Sequence, residues 1–195
     1  MSVIDTLVFD RTRDDLEKLN EIKTRILTYG LSSLTSAEKT EYLSGMKGAY
    51  NYTDLNRVGQ AVAYIADRLI SLPGEISTYR EAMGVSDNKL YRVPYDVAGV
   101  VVSPKTDWKV SDIPVRTQME AYLKNVHALQ GIFELPESSP DLSQTLEGLN
   151  LKVANAIERI LYDVNTKLEE AEDNLYDLID RTAAAFTYSG INYAE

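Results

Sequence analysis

The residues closest to a reactive set are His127, the one histidine of the chain, and the acidic run Glu169, Glu170, Glu172, Asp173, Asp177 and Asp180. A zinc centre needs further imidazoles or thiolates at ligand spacing, and the sequence has no second histidine, no cysteine and no HExxH pair. The missing cysteines also exclude disulfides and a thiolate nucleophile. A nucleophilic serine paired with His127 would be expected on a GxSxG elbow, and none is present. Nucleotide chemistry finds no support either, because neither a P-loop nor a GxGxxG after a strand occurs. The acidic run lacks the glycine and the order of oxygen ligands of an EF-hand, so calcium is not implied. Its like charges at i, i+3 and i, i+4 read as a solvated helix face, in preference to a docking site for a basic partner. His127 reads as a surface or boundary residue. The expectation is a non-enzymatic protein with no catalytic residue, cofactor or metal ligand.

The elements that position these groups are helices. From Asn150 to about Phe186 the chain runs without proline or glycine. Its apolar stripe is Val153, Ile157, Ile160, Val164, Leu168, Ala171, Leu175, Leu178 and Thr182, at close to 3.6 residues per turn. Val153 to Val164 and Val164 to Leu175 are both 11-residue steps, which favour straight packing over a left-handed coiled coil. Such a helix is roughly 50 Å long and serves as a spine for the rest. On this reading Leu168 is on the stripe and buried, whereas Leu161 lies one step off it and contributes less unless a second layer or subunit covers it.

Upstream, Val3 to Phe9 reads as an edge strand or an extended arm, with a frayed terminus as the equal alternative. Leu16, Leu19, Ile22 and Ile26 line the face of a helix that begins after Thr12 and stops at Gly30. Thr35 and Glu38 form a capping box for a short helix ending near Gly45. A third helix, capped by Asn51 or Thr53 and faced by Leu55, Val58, Val62, Ile65 and Leu69, is expected to end at Pro73-Gly74. Glu75 to Met83 then makes a separate short helix stopped by Gly84. Tyr91 to Val102 loses helical periodicity and reads as edge-like strands or an extended connection. A second capping box, Thr117 to Glu120, opens a helix with Met119, Tyr122, Leu123, Val126, Leu129 and Phe133 inward. Pro136 and Pro140 mark a linker. The expected organisation is a helical N-terminal region at 1–135, with a short strand or loop segment, then a linker at 136–149, the long helix at 150–187 and a tail at 188–195. Together these make one structural domain. The fold class is mainly α: a helical bundle around a long C-terminal helix, with a minor irregular or β segment near 91–102.

Composition narrows the partners. A net charge of -10 argues against a nucleic-acid backbone or an anionic membrane surface as the main partner. No signal peptide is apparent, and no apolar run approaches the length of a membrane span. The interaction candidates fall into two groups. Tyr50, Tyr52, Asp54, Arg57 and Trp108 lie in the two most distinctive local sequences, where a structural corner and a core tryptophan are the readings preferred to a ligand site. Leu175, Leu178 and Ile179 lie on the terminal part of the spine. The upstream helices, at about 15 to 30 Å each, are too short to cover that spine along its length, so self-association of a homo-oligomer is expected there.

Phe9 to Thr12 (FDRT), Met46 to Val58 (MKGAYNYTDLNRV), Lys105 to Pro114 (KTDWKVSDIP), Tyr122 to Val126 (YLKNV) and Ala154 to Leu161 (ANAIERIL) resemble, in the same order, segments of a known family. These are small virion-associated proteins of tail, baseplate or fibre type from bacteriophages and prophages of Gram-positive bacteria. The resemblance implies a structural or attachment component, made in the host cytoplasm and residing in the virion, whose partners are other virion structural proteins. It carries no catalytic motif. A module binding a host-surface glycan or receptor is the alternative, kept open by 13 tyrosines. A small wall-degrading hydrolase ranks below both.

Overall fold

A computed structural model describes residues 2–86, 89–142 and 150–191. Helices α1 (Arg13–Tyr29), α2 (Ser36–Ser44), α3 (Tyr52–Ala82), α4 (Arg116–Gln130) and α5 (Leu151–Ile191) follow one another, joined by turns and short 3-10 segments, with no strand among the described residues. This is the expected helical bundle: α3 and α4 pack along α5, and the 3-10 turns Ile4–Thr6 and Lys89–Tyr91 add to its cover.

The periodicity of α5 explains its central place. Ile157, Ile160, Val164, Leu168, Leu175 and Ile179 are all buried, and Val153 and Leu178 are partly so. Burial is not confined to the stripe, however. Between Ala154 and Asn165 the helix also buries Glu158, Leu161 and Asp163, because α3 and α4 flank it on different sides. Leu161, one step off the stripe, is 0% exposed. A second layer supplies the cover.

α3 does not end at Pro73-Gly74. It runs through both residues for 31 residues, so the separate helix expected at Glu75 to Met83 is its last turns. Proline lacks the N–H that would bond the carbonyl four residues back. Here that carbonyl, on Leu69, instead accepts the Tyr95 hydroxyl at 3.1 Å, and the break is repaired from outside the helix. The resulting α3 is roughly 46 Å long at 1.5 Å per residue. At that length it covers more of the spine than the short helices expected, although α5 itself, at 41 residues, extends to roughly 61 Å.

Local chemistry sets the other ends. Thr12 and Asp15 close a capping box on α1, Thr35 and Glu38 close one on α2, and Asn51 with Asp54 starts α3. α4 begins earlier than the box expected at Thr117 to Glu120. Its N-cap is Val115, whose N–H donates to the Gln118 side chain at 3.1 Å. Tyr91 to Val102 is irregular, with 3-10 turns at Lys89–Tyr91 and Val97–Gly99, and Val100 to Val102 form no strand. The N-terminal arm is a 3-10 turn, Ile4–Thr6, followed by extended chain. Ile4 and Leu7 plug the core of their own chain. α5 continues to Ile191, past the expected end of the helix, while the linker residues 143–149 and the tail residues 192–195 lie outside the described residues.

The apolar core falls into two clusters. The larger joins α3, α4, α5 and the arm. A smaller one, Leu19, Ile22, Leu34 and Met46, is built by the α1–α2 hairpin and the chain just after it.

Candidate functional site

Two guanidiniums and two carboxylates meet where the arm, α3 and α5 come together. The Arg11 Nη2 donates to Asp54 Oδ1 at 2.8 Å and to Glu158 Oε1 at 2.6 Å. Arg57 grips Glu158 through Nε and Nη2, at 2.9 and 2.8 Å, and also pairs with Asp54. Glu158 takes the Val8 N–H at 2.6 Å as well. Next to it, Asn155 exchanges two hydrogen bonds with the Arg11 backbone, at 3.1 and 2.9 Å. Glu158 is fully buried, and Arg11 and Asp54 are nearly so. With two charges of each sign the cluster is neutral, and its carboxylate oxygens are held by several donors. That is the condition under which buried ions are tolerated.

The local sequence accounts for each position. Asp54 is the third residue of α3, where its other oxygen accepts the Asn51 N–H at 2.8 Å and completes the capping box. Arg57 follows one turn later on the same face. Glu158 lies on the most buried part of α5, between Ala154 and Asn165, where Tyr162 alone is exposed. Arg11 precedes α1 and lays its guanidinium 5.2 Å from the centroid of the Tyr50 ring. The Tyr50 hydroxyl pairs with that of Tyr122 on α4. Burial pushes the pKa of both phenols up from the ordinary value, with Glu158 adding to it at Tyr50 and the facing phenol at Tyr122. Both phenols stay neutral.

Beside this cluster, an open groove of about 1540 Å³ separates the α1–α2 hairpin from the main body. Leu16, Leu19 and Tyr42 line one wall; Leu55, Trp108 and Met119 line the other. Trp108 is held by its backbone: its N–H donates to the Asn56 side chain at 2.7 Å and its carbonyl accepts from the same amide at 2.8 Å. Its approach to α3 depends on Gly59, where a Cβ would stand 2.3 Å from the Lys105 carbonyl oxygen. Lys105 lies over the indole, 5.0 Å from its centroid.

The structure brings Tyr50, Asp54 and Arg57 into the ion cluster and its border, and places Trp108 in the wall of the groove, buried as a core tryptophan would be. Tyr52 lines the same groove and is exposed. Leu175 and Ile179 lie elsewhere, buried in the main core, with Leu178 packed partly against it. His127 is half-buried on α4, and its Nε2 has no hydrogen-bond partner among the described residues. Reading the sequence missed Arg11, Asn155 and Glu158. The one local signal was the Asp54–Arg57 spacing; the other bonds of the cluster join residues 43 to 150 positions apart.

Among the described residues no group of histidine, aspartate and glutamate is disposed to hold a metal ion, and no helix is long and apolar enough to cross a membrane. No family model, no curated protein and no solved structure matches the chain.

Proposed function

We propose that this protein is a structural component of a bacteriophage particle, of tail, baseplate or fibre-attachment type, that acts through protein–protein assembly and performs no catalysis. The observation that carries the reading is where the five resembling segments go. FDRT contributes Arg11; MKGAYNYTDLNRV contributes Tyr50, Asp54 and Arg57; KTDWKVSDIP contributes Trp108; YLKNV contributes Tyr122; ANAIERIL contributes Asn155 and Glu158. Apart from Trp108 in the adjoining groove wall, these residues form the ion cluster and its tyrosine border. What the resemblance rests on is therefore a scaffold lock, with its ionisable groups engaged with one another. A protein kept for its shape fits that pattern better than one kept for a reaction.

Partners on this reading are other virion structural proteins, and the site of action is the virion. Self-association belongs to the reading too, but through a surface other than Leu175 and Ile179, which the chain itself covers. Mass spectrometry of particles purified by density gradient from a lysogen carrying this gene tests the proposal. The protein should be found in the particle at a fixed ratio to the major tail protein. Its absence from intact particles, with its presence in the lysate, would refute the assignment.

A further inference from the structure

The groove between the hairpin and the body has features that the scaffold does not account for. Two of its lining residues, Leu43 and Val110, are 73% and 84% exposed, so its mouth is apolar as well as its walls. Single exposed apolar residues are ordinary, but here they continue a concave surface that already holds Leu16, Tyr42, Trp108 and Met119. The charges around it are unevenly paired. Arg116 and Glu120 neutralise each other, and Asp112 is engaged by Lys105 and by the Lys109 N–H. The ammonium groups of Lys23 on one wall and Lys109 on the other form no ion pair among the described residues. Lys109 acts at longer range on Asp107, yet the charged residues lining the groove, Lys23, Lys109 and Arg116 against Asp112 and Glu120, leave it positive in a chain of net charge -10. The indole N–H of Trp108, itself buried, has no acceptor among the described residues.

We infer that this groove is a docking site for an apolar segment of a partner protein that carries carboxylates on its flanks. The apolar side chains of that segment fill the space between Leu19, Tyr42, Trp108 and Met119, and its aspartates or glutamates meet Lys23 and Lys109. Complementary charge of this kind sets orientation and discriminates between partners. The hairpin wall has a small core of its own, separate from that of the main body. The inference stands on the groove and is independent of the particle assignment; mass spectrometry of virions tests that, and the binding experiment below does not.

The test uses the full chain and two synthetic peptides. Each is a 14-residue amphipathic helix with leucine and phenylalanine on one face. One carries aspartate and glutamate on the other face, and its counterpart carries lysine there. Trp108 is the sole tryptophan, so its emission reports from the groove wall. The acidic peptide should shift that emission and bind saturably, the basic peptide tenfold or more weaker. The Lys23→Glu, Lys109→Glu double variant, with its helical signal and thermal midpoint checked, should reverse the preference. Lys152→Glu, on the exposed start of α5 away from the groove, should leave it unchanged. Absence of saturable binding of the acidic peptide, equal binding of both peptides, or an unaltered preference in the double variant would overturn the inference.

Discussion

The Tyr95 hydroxyl takes the place of the amide hydrogen that Pro73 lacks, donating to the Leu69 carbonyl in the interior of α3. A buried carbonyl without a donor costs on the order of 1 to 3 kcal/mol. Tyr95→Phe, which keeps the ring and its edge contact with Phe133, should therefore lower stability by about that amount in urea unfolding. Pro73→Ala restores a backbone N–H for the same carbonyl. In that background the Tyr95→Phe loss should shrink to a few tenths of a kcal/mol by a double-mutant cycle, roughly the limit of additivity for uncoupled sites. Equal losses in both backgrounds would show that the hydroxyl does not act through Leu69.

The ion cluster makes a contrasting claim. Removing one member leaves buried charges uncompensated, and such changes cost about 3 to 5 kcal/mol. Glu158→Gln strips the charge that holds both Arg11 and Arg57 and should fall in that range. Lys167→Ala, which breaks the exposed pair with Glu170, should cost about 0 to 1 kcal/mol. Chemical unfolding of both variants distinguishes them, and a Glu158→Gln loss under about 1 kcal/mol would contradict the buried network.

Two glycines of α3 should respond with opposite signs. At Gly59 a Cβ would collide with the Lys105 carbonyl, so Gly59→Ala must push the Trp108 segment off α3. At Gly74 nothing lies within 4 Å of the added carbon. Gly74→Ala should stabilise by about 0.4 to 1 kcal/mol through the entropy of the unfolded chain. Thermal melts decide between them, and a lower midpoint for Gly74→Ala would speak against helix continuity past Pro73.

Leu161 and Leu168 are both buried, and truncating either to alanine should cost about 2 to 5 kcal/mol. A Leu161→Ala loss well below that of Leu168→Ala would restore the one-sided stripe expected from sequence and would conflict with the second layer formed around α5.

Acid acts on the hairpin through Glu38. The Arg25 guanidinium, followed by the Thr35 N–H and hydroxyl, holds its carboxyl at about 2, against an ordinary 4.5. A pKa depressed by folding contributes stability that is fully present above the unfolded value and is lost as pH falls through the folded one. The α1–α2 contact should thus hold down to about pH 4.5 and weaken toward pH 2. The Thr35 amide proton resonance should titrate near the lower value, and Glu38→Gln should remove the transition. A midpoint at 4 or above would refute the pairing.

Periodicity made the helices legible. The 3.6-residue stripe located α5, and the Thr35–Glu38 box and Gly30 marked ends that do not depend on the rest of the molecule. Pro73-Gly74 misled because the signal for stopping is local, whereas the remedy, Tyr95, arrives from a loop 26 residues from Leu69. The start of α4 was misplaced for a related reason, since Gln118 reaches back to Val115, which carries no capping oxygen of its own. Leu161 could not be ranked without knowing how many helices surround α5. The ion cluster had almost no local trace, because a guanidinium before the first helix looks like any surface arginine until Glu158 is placed beside it. The groove was illegible for the same reason: its walls come from α1, α2, the start of α3 and the segment from Trp108 to Glu120, and only packing sets them face to face.

The bond between Arg11 and Glu158 spans 147 residues. During synthesis the α1–α2 hairpin can gather its own small core early, yet the arm before it has no counter-charge until most of α5 has been made. Long-range closures of this kind slow folding. They also make it conditional: a chain cut short before residue 158 is left with the Arg11 and Arg57 guanidiniums facing Asp54 alone and with no spine to seat the arm. A prematurely terminated copy, lacking Glu158 and the spine, should therefore fail to reach the finished shape.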